Sequence, residues 1–209
     1  MLAGKPGSGG FAAAEKLRDR EGNILRLGQY WDYDARKWTG VETSEFKEHL
    51  GIGAAAVDWD DDGDLDLVLG SFQGNFYVRL NEGSAREPAF ATKSIVVEHD
   101  GEPVAIPGRD AIPEIVDWDG DGRFDILSGS GAGGVYWVRN IGTKKGEPEF
   151  AKPVALLGPS GNSSATAPGR RTQVCVTDYD DDGDLDLLVG DYTSTGGKRH
   201  GFVWLVRQR

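Results

Sequence analysis

The sequence is short of the residues that build most disulfide scaffolds and many enzyme centres. It has one cysteine, Cys175, in 209 residues, so no intrachain disulfide can form. Its three histidines, His49, His99 and His200, lie far apart, which argues against a zinc site and a Cys/His nucleophile pair. No apolar run approaches the ~18 residues a membrane-spanning helix needs, so membrane insertion is not expected. No apolar h-region follows residues 1–7, so no signal peptide is expected in this chain. Basic residues are outnumbered: 23 Lys and Arg face 34 Asp and Glu, a formal charge of −11. That balance disfavours nucleic acid and anionic membrane as main partners. Glycine, in contrast, is plentiful at 31 residues and has no collagen period, which points to many turns.

What is present is a repeat. Three segments align: one opens at Val57-Asp58-Trp59, one at Val116-Asp117-Trp118 and one at Thr177-Asp178-Tyr179. Their first aspartates are 59 and 61 residues apart. The likeness continues past the acidic core. Gly74-Asn75-Phe76-Tyr77 parallels Gly133-Gly134-Val135-Tyr136 and Gly201-Phe202-Val203-Trp204, and Glu87-Pro88-Ala89-Phe90 parallels Glu147-Pro148-Glu149-Phe150. Each unit reads as four short strands: one before the acidic loop, one after it, an aromatic-rich third, and an outer fourth beginning at Phe90 or Phe150. The runs are short, β-branched or aromatic, and bounded by Gly and Asn, which favours strands over helices. The expected fold class is all-β, made of β-propeller blades. The expected organisation is residues 1–50 as the outer strand of an incomplete blade plus an insertion, then three blades at about 51–111, 112–172 and 173–209.

Each repeat carries D-x-D-x-D-G-x-x-D. Four carboxylates within nine residues repel one another, and a bound cation removes that repulsion. All-oxygen donors favour Ca²⁺, and glycine at the sixth position (Gly63, Gly122, Gly183) permits a sharp turn. The expected ligands are Asp58, Asp60, Asp62 and Asp66 with the backbone carbonyl of Asp64; Asp117, Asp119, Asp121 and Asp125 with that of Arg123; and Asp178, Asp180, Asp182 and Asp186 with that of Asp184. An arginine at the seventh position fits, because only its carbonyl is needed. The twelfth position is Leu69, Ser128 or Val189, where an EF-hand requires a bidentate Glu, and the flanks are strands. An EF-hand is therefore rejected. Mg²⁺ is disfavoured by its octahedral demand and its retained waters. Three Ca²⁺, one per repeat, would move the formal charge from −11 to −5.

On these aspartates, on Gly63 and its copies, and on the strands L-D-L-V-L-G, F-D-I-L-S-G and L-D-L-L-V-G, the repeats resemble FG-GAP/VCBS repeats. Those are the calcium-binding blades of integrin α-subunit propellers and of many bacterial surface or secreted proteins. The resemblance covers about residues 51–209, with a weaker outer-strand match at 11–27. It implies a propeller with Ca²⁺ in a loop of each blade and a location outside the cytoplasm: extracellular, periplasmic or at the cell surface. It implies no single activity. Family propellers commonly have seven blades, and this chain has three acidic loops. Two readings follow. The outer strand at 11–17 completes the last blade of a second chain in a six-bladed homodimer, or the chain is a piece of a longer array, which is the favoured reading.

The aromatics at loop position two, Trp59, Trp118 and Tyr179, read as packing residues between blades. Cys175 reads as a buried thiol, Arg170 and Arg171 as a solvated loop end, and residues 193–200 as a polar hairpin tip. The stretch 30–50 reads as an insertion with a helical turn at 44–50. Its Trp31, Tyr33 and Trp38 are candidates for a sugar or a partner, or for plugging a seam between blades. Two functional classes remain. One is a non-catalytic scaffold for a protein or carbohydrate ligand. The other is a polysaccharide lyase or hydrolase on the same scaffold, although no convergent acid/base set stands out beside the calcium aspartates.

Overall fold

A computed structural model describes residues 13–26, 30–32, 36–39, 51–144, 147–160, 167–195 and 197–208. Every element in it is a β-strand, and every pairing between strands is antiparallel. The first repeat is a four-stranded sheet, in the order Gly51–Val57, Asp66–Ser71, Phe76–Arg79, Ile95–Val96. The second has the same order in Ile112–Val116, Asp125–Gly129, Val135–Val138, Val154–Leu157. In the third, Arg170–Thr177 pairs with Asp186–Thr195, which pairs with Val203–Val206 and, at its far end, with Lys198–His200. These are the up-and-down sheets of propeller blades.

The sheets lie face to face on two apolar layers. Val68, Phe76 and Val78 of the first repeat pack with Ile126, Tyr136 and Val138 of the second. Leu127 and Val135 of the second pack with Leu187 and Val189 of the third. Alternation along each strand sends one set of side chains to the preceding sheet and the other to the following sheet. The glycine that closes each second strand lets the next sheet approach. A Cβ on Gly70 would sit 2.1 Å from the Ala111 carbonyl oxygen, and one on Gly129 would sit 2.0 Å from that of Thr172. A Cβ on Gly190, the third copy, would meet nothing within 4 Å. Val203 and Leu205, which match the buried Val135 and half-buried Trp137, are correspondingly exposed.

Several expectations need correction. The outer strands begin at Ile95 and Val154, not at Phe90 and Phe150. Both phenylalanines are buried plugs instead. Phe150 ends a strand, Glu147–Phe150, that pairs with Asn140–Lys144 outside the blade sheet. Among the described residues the third sheet has no outer strand. Cys175 is exposed, because Val174 and Val176 take the face toward the second sheet and the thiol points the other way.

The N-terminal stretch is also not a blade strand among its described residues. Residues 18–24 form a small turn whose Arg20 N–H donates to the Phe90 carbonyl at 2.9 Å, with Asp19 bridged to Phe90. One repeat later, the hairpin of Glu98–His99 and Glu102–Pro103 does the same to Phe150: His99 Nδ1 meets its carbonyl at 2.7 Å. The 11–27 alignment thus reflects a shared docking turn, and that turn sits on the first repeat, not the last. Phe11 itself lies outside the described residues. So does the helical turn expected at 44–50, as does Tyr33. Tyr30–Asp32 pairs with Lys37–Thr39 as a two-stranded hairpin.

Candidate metal centres

Each acidic loop joins the first and second strands of its sheet, and all three are held by one set of hydrogen bonds. The first aspartate accepts two backbone N–H groups across the turn. Asp58 takes those of Asp62 (3.1 Å) and Gly63 (3.0 Å). Asp117 takes those of Asp121 (3.0 Å) and Gly122 (2.9 Å), and Asp178 those of Asp182 (3.2 Å) and Gly183 (3.0 Å). The fifth-position aspartate accepts the N–H of the seventh residue in every loop, at 3.1, 3.1 and 3.0 Å. The backbone is left-handed at the sixth position, with φ of 92°, 85° and 93° at Gly63, Gly122 and Gly183. No neighbour crowds these glycines, so the dihedral alone selects glycine. The fourth position is left-handed too, and is filled by Asp61, Gly120 and Asp181.

The ninth-position aspartates are buried, and both of their oxygens are committed to the scaffold. Asp66 accepts the N–H groups of Trp59 (2.8 Å) and Asn81 (2.6 Å). Asp125 accepts those of Trp118 (3.3 Å) and Asn140 (2.7 Å), and the Trp137 indole N–H at 2.9 Å. Asp186 accepts those of Tyr179 (3.2 Å) and Gln208 (3.0 Å). Each one ties its loop to the end of the third strand. Spacing alone made them only ligands; their role as staples needed the sheet.

The structure gathers three carboxylates per loop with oxygens within 4.8 Å of one another: Asp58, Asp60 and Asp66; Asp117, Asp119 and Asp121; Asp178, Asp180 and Asp182. In the second and third loops the ninth aspartate stands outside this trio, as do Asp62 and Asp64 in the first, and Asp184 in the third. Arg123 turns its guanidinium onto the Asp121 carboxylate. Burial, then the neighbouring Asp62 and Asp58, push the Asp60 carboxyl above the usual carboxylate range. Burial raises Asp64, Asp66, Asp125 and Asp180 as well. Asp64 Oδ1 is buried with no hydrogen-bond partner among the described residues. These donor sets fit a hard cation: all ligands are oxygens, the charges crowd one another, and a buried oxygen is left without a donor.

The loops differ in their cationic neighbours. Arg139 lies 2.5 Å from Asp119 and 3.2 Å from Asp121. Arg207, one repeat on, lies 3.3 Å from Asp180. The matching residue in the first repeat is Leu80, so that loop lacks this arginine.

An all-β array of antiparallel blade sheets with an acidic turn between the first two strands defines a propeller-type repeat protein. Residues 117–189, which span the second and third acidic loops, match the family model described as FG-GAP-like repeat. Over that stretch the chain carries FG-GAP-like repeat sequence. No curated protein matches it.

Proposed function

We propose that this chain is a calcium-binding β-propeller repeat protein that acts as a non-catalytic scaffold for a protein or carbohydrate ligand outside the cytoplasm. The supporting observation is the threefold recurrence of one acidic turn with one hydrogen-bond pattern, each copy crowding three carboxylates within 4.8 Å. In this reading Asp58, Asp60, Asp62 and Asp66, and their copies, hold Ca²⁺ together with the carbonyls of Asp64, Arg123 and Asp184. The ion cancels the carboxylate repulsion and locks the first two strands of each blade. Localisation rests on the family resemblance alone. The test is calcium titration of chelator-treated protein by calorimetry, with melting curves at each endpoint. About three sites and a raised melting temperature support the reading.

The second reading, a polysaccharide-acting enzyme, draws on the same scaffold. A turnover screen against acidic and neutral polysaccharides separates the two.

A further inference from the structure

We infer that the end of the sheets opposite the acidic loops carries a binding groove for an anionic polysaccharide. This rests on the scaffold reading above and deepens it by naming a ligand class and a place.

The groove has a volume of about 930 Å³ and lies where the second strands end and the next repeats begin. Arg109, Arg170, Arg171 and Arg199 line it against one acid, Asp110. Four arginines share this lining in a chain of formal charge −11. None of the four has an ion pair among the described residues. The sequence carries a sign of this in a second short repeat: Pro107-Gly108-Arg109 recurs as Pro168-Gly169-Arg170, 61 residues on, the period of the blades. An arginine is thus delivered at the entry to each following sheet.

The aromatic residues follow the same ruler. Phe72 and Tyr192 hold one position in the first and third repeats, and Gly131 holds it in the second. Phe72 and Tyr192 thus place exposed rings in the lining, while the space beside Gly131 is taken by the Asp110 carboxylate, 2.5 Å from where a Cβ would sit. The Arg109 guanidinium lies 5.8 Å over the Phe72 ring and that of Arg171 lies 5.8 Å over Tyr192. Stacking of this kind orients the fork of donors while leaving its edges free. Thr193 Oγ1 is buried in the lining and has no hydrogen-bond partner among the described residues. Such a buried hydroxyl lacks the partner that buried polar groups normally have.

These features select the ligand. Arginine forks match carboxylate and sulfate geometry. Flat exposed rings suit the apolar faces of sugars. No aliphatic side chain in the lining is larger than that of Ala132, so an acidic peptide would find no pocket for an apolar anchor. The acidic loops do not repel the ligand strongly, because a strand length of ~17–20 Å separates the two ends of each sheet and exceeds the screening length of ~8 Å at physiological salt.

The test uses the whole chain with calcium present. Binding is measured to dextran sulfate, to hyaluronate and to uncharged dextran, with poly-glutamate and a single-stranded oligo(dT) in parallel. Binding to dextran sulfate (sulfate), to hyaluronate (carboxylate) or to both supports the inference and tells which anion the groove takes. Dextran should not bind. Arg171→Gln and Arg199→Gln should each weaken binding about tenfold with unchanged melting temperature, and Arg20→Gln, remote from the groove, should not. Arg199 is exposed on a hairpin, so its loss leaves the cores intact. Equal binding by the groove variants, no binding to either polyanion, or tighter binding to poly-glutamate or oligo(dT) would overturn the inference. Failure of calcium binding in the same samples overturns only the metal reading. Cleavage of a bound polysaccharide supports the groove and overturns only the non-catalytic reading.

Discussion

Trp59, in the first acidic loop, stacks on Phe150 of the second repeat, with ring centroids 5.9 Å apart and planes 25° from parallel. The contact joins an acidic loop to a plug residue almost a hundred positions away. It makes the interface between the first two blades sensitive to the shape of the loop. Phe150 is buried and belongs to the core between those blades. Phe150→Ala should therefore cost about 3–5 kcal/mol in urea unfolding. Tyr179, the copy of Trp59 in the third repeat, is 55% exposed, so Tyr179→Ala should cost less than about 1 kcal/mol.

The aspartates of one loop should separate into two kinds when calcium is absent. Asp125→Ala strands the N–H groups of Trp118 and Asn140 and the Trp137 indole. Each such loss is worth ~1–3 kcal/mol, so the chelated protein should be several kcal/mol less stable. Asp119→Ala removes a crowded carboxylate and should leave the chelated protein's stability nearly unchanged. The same substitution should abolish one calcium site and spare the other two, because repeats couple mainly to neighbours. Melting curves in chelator, followed by calorimetry, check both outcomes.

The three sites should differ in affinity. The middle loop has four aspartates, with Arg123 and Arg139 already resting on Asp119 and Asp121. A calcium ion must compete with them there. The first loop has six aspartates and Leu80 in place of the arginine. The expected order is first, third, middle. Arg139→Leu should raise the affinity of the middle site about tenfold, equivalent to ~1.4 kcal/mol. An unchanged middle site would show that the arginine swings aside without cost.

Acidity should act oppositely on the chelated and calcium-loaded forms. Burial, with added repulsion from neighbouring carboxylates, raises Asp60, Asp64 and Asp66 above the usual carboxylate range. Asp125 and Asp180 shift the same way. A raised carboxyl contributes its stability below the unfolded pKa and loses it as pH rises through the folded one. The contribution of these five groups to the chelated protein should thus be greatest near pH 4 and fall toward neutrality. Calcium binds the ionised form, so its stabilising effect should grow over the same interval. Melting temperatures across pH 4 to 7, with chelator and with calcium, measure both slopes.

Much of this was readable from residue spacing. The aspartate ladder with glycine at position six specifies a turn, and the strands on either side begin within a few residues of where alternation and β-branching put them. The blade order follows from the period. The outer strands were misplaced because Phe90 and Phe150 are apolar and follow a Pro, as a strand start does; their role as plugs depends on turns donated from another part of the chain. The exposure of Cys175 was hidden for a related reason. Val174-Cys175-Val176 reads as buried, but only one face of that strand is covered. The staples Asp66, Asp125 and Asp186 look like any ligand until the third strand's N–H groups are placed beside them. Arg170 and Arg171 sat beside a Gly- and Ser-rich stretch that disguised them as loop; they belong to the strand Arg170–Thr177 and to the groove.

Calorimetric titration of the chelated chain decides whether the three acidic turns are calcium sites. About three Ca²⁺ should bind per chain, falling to about two in Asp119→Ala, with a melting temperature that climbs as the ion is added. No heat of binding and no thermal shift at millimolar Ca²⁺ would contradict the calcium assignment.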